Sequence, residues 1–368
     1  MVNELNKRLS LALIGPSFAA LVILAWSACG QMALGAASAT VNRQTFMTVG
    51  GPARVKVENH FVISYKLKST DQSEPQIQIF EQNGAAVVSI NPLAAVPQAV
   101  ESAVWDVSIG SSGLVAVTVD FPSRPSFPPI GALLIYSRNG TLEKALRYTG
   151  YQIIGVEVDS QDHIWALNGG ANVGGDPRTF PVLVEYDRGG NILRTAFTFS
   201  EFPQDAVFVK EGPREGGAFS FGLTTDKVWF WLPQSRMFGV VNIDGTHPTV
   251  VYTGLPPSPE LIPPSPVKAF AQVVGAAYVP PDRLLAKVIF VEGSPRFVSL
   301  YEFDLSAMKW IHLSPPRSVD FAWRWFVGVD DGLMVLGSPV SKHRNNPAPK
   351  EIELDWIPLQ LAIAQAAQ

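Results

Sequence analysis

A strand ending in a turn glycine recurs four times at nearly constant spacing, and this limits the possible folds more than any other feature. It stands as Ile77-Gln78-Ile79-Phe80 before Gly84 and as Leu133-Leu134-Ile135-Tyr136 before Gly140. It returns as Leu183-Val184-Glu185-Tyr186 before Gly190, and as Phe238-Gly239-Val240-Val241 before Gly245. The glycines are 56, 50 and 55 residues apart, and each has a large apolar residue four positions before it: Phe80, Tyr136, Tyr186 and Val241. A tight hairpin needs positive φ, which glycine adopts without steric cost, and its strand needs an anchor against the neighbouring strand. A fifth copy, Tyr301-Glu302-Phe303, keeps the anchor at Phe303 but has Ala307 where the glycine would fall.

A second phrase precedes the first in each unit. It is clearest over 156–167, Val-Glu-Val-Asp-Ser-Gln-Asp-His-Ile-Trp-Ala-Leu, with near-copies over 107–117 and 327–335. Apolar residues alternate with a period of two on both sides of a polar turn, the pattern of a hairpin of half-buried strands. Two hairpins per unit make four strands in about fifty residues. Units of this kind cannot bury their faces alone and close into a ring, so the pattern predicts an all-β, six-bladed β-propeller of four-stranded antiparallel blades. From residue 55 to 360 the chain divides into six such units.

The 156–167 phrase resembles the inner hairpin of NHL-type and related six-bladed β-propellers. In that hairpin a hydrophobic-x-hydrophobic-Asp strand turns through glycine into a strand carrying Trp or Tyr. Gly113 and Gly332 keep the turn glycine, whereas His163 replaces it. The resemblance implies architecture only, since such families range from scaffolds to hydrolases and lyases. The last unit has strands near 325–330, 332–336 and 352–357. Its fourth comes either from 359–364 or from residues 44–49, and the N-terminal clasp is preferred because it removes an exposed sheet edge.

The first 39 residues read differently. Lys7 and Arg8 precede an apolar run over 9–28, and Ala37-Ser38-Ala39 offers a small-residue cleavage site. This is the pattern of a secretory signal peptide, and the run is also long enough to serve as an uncleaved membrane anchor. Cys29 raises the further alternative of a lipidated N-terminus, although Trp26 replaces the usual aliphatic residue three positions earlier. The expected product is residues 40–368, a single propeller domain, exported to a periplasmic or extracellular location and monomeric. It contains no cysteine, which suits an oxidising compartment. With 47% hydrophobic residues the chain is no disordered polymer, and a net charge of −4 gives no footprint for nucleic acid.

No familiar catalytic motif is present, and the five histidines have no metal-ligand spacing. Loops between second and third strands fall near 66–76, 118–131, 168–181, 232–237, 291–297 and 338–350. They carry Lys68, Arg124, Arg178, Arg236, Arg296 and Arg344. Converging at a channel mouth, these cations would focus a positive potential for carboxylate or sulfate groups. Solvated loops of ordinary composition are the plainer alternative. A rival constellation is acidic: Asp106, Asp205 and Asp320 each lie near the entry of a first strand. They would hold Ca²⁺ or Zn²⁺ in a central channel, or else each would accept a neighbouring backbone hydrogen bond. The pairs Trp229/Trp231 and Trp323/Trp325 suit either sugar stacking or packing between blades. Asn139-Gly140-Thr141 is read as a turn rather than a glycosylation site, His163 as a solvent-exposed turn residue without a role, and the Pro-rich run over 256–266 as a stiff connection. The expected function is a cofactor-free binding or interaction module for an anionic or saccharide-like ligand, or for an envelope protein. The alternatives are a lactonase-like, metal-dependent hydrolase or lyase and a purely structural platform.

Overall fold

The computed structural model describes residues 41–49, 53–122, 130–148, 151–171, 179–202, 220–232, 236–257, 270–291, 297–313, 321, 324–340 and 351–359. The leader and its cleavage site lie outside the described residues. Six antiparallel sheets form a six-bladed propeller, each sheet one blade.

Blade 1 consists of Ala53–Glu58, Phe61–Lys66, Ile77–Glu81 and Ala86–Ile90. Blade 2 holds Ser102–Ile109, Val115–Phe121, Ile130–Tyr136 and Leu142–Tyr148, with the two-residue Lys68–Ser69 pairing against the start of its first strand. Blade 3 is Tyr151–Val158, Ile164–Ala171, Pro181–Tyr186 and Ile192–Thr198; blade 4 is Ser220–Leu223, Lys227–Leu232, Met237–Asn242 and Thr249–Tyr252. Blade 5 is Phe270–Val279, Arg283–Val291, Phe297–Asp304 and Lys309–Leu313. Blade 6 takes Trp325–Asp330, Leu333–Pro339 and Glu351–Pro358 from the end of the chain and Asn42–Met47 from its beginning. The ring therefore closes by the N-terminal clasp, with Asn42 opposite Trp356 and Met47 opposite Glu351.

The repeated glycines do what the pattern requires. Gly84, Gly140, Gly190 and Gly245 have φ between 80° and 90°. In each turn the glycine N–H donates to the carbonyl three residues earlier, as in Gly140 to Ser137 and Gly190 to Asp187, both at 2.9 Å. This is a type I turn followed by a left-handed residue, the usual three-residue hairpin. A Cβ at Gly190 would also stand 2.5 Å from Leu146 in the preceding blade, so the turn packs where only a hydrogen fits. The fifth hairpin departs from expectation. Its loop is one residue longer, Asp304 pairing with Lys309, and the positive φ falls on Met308 at 53° rather than on Ala307. The Ala307 N–H instead donates to Asp304 Oδ1 at 2.8 Å.

The anchors Phe80, Tyr136, Tyr186, Val241 and Phe303 are all buried. The apolar cores lie between successive sheets rather than within one: blade 1 against 2, 2 against 3, 3 against 4, 4 through 6, and 6 against 1 across the clasp. Trp229 and Trp231 are buried packing residues, facing Tyr278 and Trp310 of blade 5 at centroid distances of 6.3 and 6.4 Å. Trp323 lies outside the described residues. The start of the proline-rich connection is tied to blade 5, where Trp310 Nε1 donates to Thr253 O and Tyr301 Oη to Pro257 O; residues 258–266 lie outside the described residues. A polar lock holds the clasp. Arg43 Nε stands 2.8 Å from Asp355 Oδ1, and Arg324 reaches Asp355 Oδ2 at 2.9 Å and Glu353 Oε1 at 2.7 Å. Asp355 is completely buried.

Candidate functional site

First strands of successive blades lie against one another, so they form the wall of a central channel. Its cavity measures about 1090 Å³. A strand with period two places every second residue on one side. In an ordinary half-solvated sheet the polar set would face water. Here both sides of a first strand meet other blades or the channel, so polar residues must find partners.

Blades 1 to 3 supply those partners to each other. Lys56 Nζ stands 2.6 Å from Glu157 Oε1, 3.0 Å from Glu58 Oε2 and 3.6 Å from Asp106 Oδ2. It also donates to the carbonyls of Val107 and Val156, both at 3.3 Å. Glu58 Oε1 accepts from the Ser108 hydroxyl and from Ile109 N–H at 2.9 Å. The Ser108 oxygen in turn accepts Val158 N–H at 2.8 Å. One cation thus sits among three buried carboxylates. Burial opposes the charge on Lys56, yet the carboxylates hold its pKa well above the ordinary lysine value. Burial, aided by the negative charge of Glu58, pushes Glu157 well above the carboxylate range, and burial raises Glu58 against the pull of Lys56. Tyr65, buried near this group, is raised to about 12.

Asp106 follows a β-bulge in the first strand of blade 2, where pairing with the second strand skips from Val104 to Asp106. The bulge frees a backbone amide, which the carboxylate recovers: Asp106 Oδ1 accepts Val107 N–H at 2.9 Å, and Oδ2 accepts Val156 N–H of blade 3 at 3.0 Å. The same skip recurs in blades 3, 5 and 6, where the residue after it is Gly155, Gly275 or Gly328. Asp205 and Asp320 lie outside the described residues. The other half of the wall is richer in apolar residues, with Phe221, Gly222, Ala276, Tyr278, Trp325 and Phe326 among its lining, although Asp330 and Asp331 of blade 6 line it too.

Of the basic loop residues, Arg124, Arg178, Arg296 and Arg344 lie outside the described residues. Lys68 is exposed, 3.8 Å from Glu101 Oε1. Arg236 has a left-handed backbone (φ 59°), and its Nη1 donates to Tyr252 Oη at 3.1 Å.

His163 is not the exposed, unoccupied residue expected at a turn tip. The turn folds it back over its own blade, with Asp159 N–H donating to His163 O at 2.9 Å. Its side chain is 26% exposed, and Nδ1 stands 2.9 Å from Glu185 Oε1 and 3.6 Å from Asp159 Oδ2. A search for histidine-to-histidine spacing misses this group, because its other members are carboxylates on a turn and on the third strand. The charged members of the channel cluster did leave a signal: Lys56, Asp106 and Glu157 fall in successive first strands at intervals of 50 and 51 residues, the repeat length itself.

No family model matches this chain, and neither does any curated protein. Among solved structures it is similar to the Niastella koreensis GH74 enzyme, with 12% identity over 80% of this chain and 42% of that one and a TM-score of 0.43. A structure of a nidogen/laminin complex matches at 10% identity over 72% of this chain and 93% of that chain, TM-score 0.33. Apo AztD from Citrobacter koseri matches at 7% identity over 71% and 59%, TM-score 0.28. These are distant likenesses and say nothing of substrate or partner.

Proposed function

We propose that the protein is an exported binding module, akin to NHL-type propellers, that takes a hydroxyl-rich, saccharide-like ligand in its central channel. The observation that carries this reading is the division of the channel wall. Glu58, Asp106 and Glu157 line it on one side, and on the other the exposed ring of Trp325 stands beside the largely buried rings of Phe326, Phe221 and Tyr278. Carboxylates accept hydrogen bonds from sugar hydroxyls, and aromatic rings cover the apolar face of a pyranose. Trp325 supports the reading further, because it lines the channel and remains 39% exposed, unlike the tryptophans used for packing.

A second reading places an anionic ligand on the loop face at Lys68 and Arg236. It rests on Arg236, half-buried, whose guanidinium donates to the hydroxyl of the exposed Tyr252. Calorimetry against neutral and sulfated oligosaccharides separates the two. The channel reading expects binding that is insensitive to salt and lost in Trp325→Ala, with circular dichroism unchanged. Binding that weakens with salt and disappears in Arg236→Ala would replace it with the loop-face reading. Failure of every oligosaccharide in the panel would remove both.

A further inference from the structure

Blade 3 carries a second group of ionisable side chains, on the hairpins of the blade and apart from the Lys56 cluster. Asp159 directly follows the first strand, His163 closes the turn after it, and Glu185 lies in the third strand opposite Trp165. One ligand atom from each lies within 4.8 Å of the others. Asp159 and Glu185 are buried, and His163 leaves the group partly open to solvent.

Each carboxylate has one oxygen engaged and one turned inward. Asp159 Oδ1 accepts the backbone N–H groups of Gln161 at 2.8 Å and His163 at 2.9 Å. Glu185 Oε2 is bound by Arg194 Nε, and Arg194 is itself fixed by donating to Ile243 O of blade 4 at 3.3 Å. Asp159 Oδ2 and Glu185 Oε1 are left facing the same atom, His163 Nδ1, at 3.6 and 2.9 Å. A ring nitrogen carries a single proton and cannot serve both. Oriented carboxylates with one bound and one free oxygen are what outer partners create around a metal.

Blade 5 provides an internal comparison. At the corresponding positions it has Arg283 and Glu302, a simple pair at 3.4 Å, with Glu302 opposite Leu285 as Glu185 is opposite Trp165. If blade 3 needed only a pair, Arg194 and Glu185 would suffice. His163 and Asp159 are additional.

We infer that Asp159 Oδ2, His163 Nδ1 and Glu185 Oε1 form a binding site for a first-row divalent cation of the Zn²⁺ class. Bonds of ~2.0–2.2 Å in tetrahedral geometry set ligand atoms roughly 3.3 Å apart, and the separations from His163 Nδ1, 2.9 and 3.6 Å, bracket that spacing. An imidazole with two carboxylates suits Zn²⁺, whereas Ca²⁺ takes six to eight oxygens. Three protein ligands leave the fourth position to water. The imidazole must be neutral to coordinate, so binding weakens in acid.

The test uses the purified full chain, stripped with a chelator, dialysed and titrated with ZnCl₂. Calorimetry is expected to show one Zn²⁺ per chain with proton release, and Co²⁺ in its place to give visible ligand-field bands. His163→Arg, which copies blade 5, and His163→Ala are each expected to reduce affinity by more than the ~10–100-fold that loss of an outer partner costs. Circular dichroism of the metal-free forms establishes that both variants fold, and either one that folds is sufficient. No stoichiometric Zn²⁺ in the wild type overturns the inference. So does zinc binding undiminished in the folded variants, which would place the metal elsewhere, for example at Cys29. Selective Ca²⁺ binding would overturn the assigned class of ion.

Discussion

The two halves of the inner ring share one sheet geometry and are held together by different means. In blades 1 to 3 the first strands are joined by directional bonds between charged or polar side chains and the next blade's backbone. Lys56 reaches carbonyls of blades 2 and 3, Asn59 Nδ2 donates to Ile109 O at 2.8 Å, and Asp106 and Ser108 accept amides of blade 3. In blades 4 to 6 the described bonds of this kind are fewer: Ala276 N–H donates to Ser220 Oγ at 3.3 Å, and the His60 backbone of blade 1 donates to the Asp330 carboxylate. Close approach replaces them. Phe238 stacks on Tyr278 at 5.8 Å, and a Cβ on Gly275 would stand 3.0 Å from Phe326 Cδ1. One half depends on charge balance and the other on volume, so they should fail under different perturbations.

The largest expected effect is in the charged half. Lys56→Met removes the single cation from among three carboxylates and should cost about 3–5 kcal/mol near pH 8. Urea melts should show a smaller loss near pH 5, because burial raises Glu58 and Glu157 toward their neutral forms. A loss equal at both pH values would break the contrast between the halves. Asp355→Asn in the clasp lock comes next, at about 2–3 kcal/mol, because Arg324 is largely buried and would keep only Glu353 as a charged partner. In the apolar half, Gly275→Ala should cost about 1–2 kcal/mol through the clash with Phe326, with no dependence on pH. A pH-dependent loss there would mean that the halves are not separate.

Glu157→Gln sharpens the same comparison through its slope with pH. Burial raises Glu157 well above its unfolded value, so the folded state holds a proton that the unfolded state releases first. The stabilisation is complete below the unfolded pKa and is lost as pH rises through the folded one. Stability of the wild type should therefore fall over that window, and Glu157→Gln should flatten the fall. Smallest in size, Met308→Gly should stabilise by about 0.5–1 kcal/mol in thermal melts by relieving the left-handed backbone.

The architecture was legible because its determinants are local. A glycine at positive φ and an anchor four residues earlier lie within one hairpin, and repetition identifies them. The clasp followed from counting strands in the last unit. The bulges were not legible, since a skipped pairing depends on which residue of another strand lies opposite. Glu157 and Lys56 read as ordinary polar positions of half-solvated strands. Only the closed ring, which covers both sides of a first strand, turns them into a buried cluster. His163 was misjudged for a related reason: its partner Glu185 lies 22 residues away, on a strand whose polar position also looked solvent-facing.

The clasp also sets how the molecule responds to pulling. Residue 42 pairs with 356 and residue 47 with 351, so both chain ends leave blade 6 from the same end of that ladder. Tension applied between the termini therefore loads one rung at a time, starting at Asn42 and Trp356, and peels the strands apart instead of shearing them together. Arg43, pairing with Asp355 one rung further in, is the first charged resistance the peeling front meets. The propeller should open at this seam under low force while its other five blades remain intact.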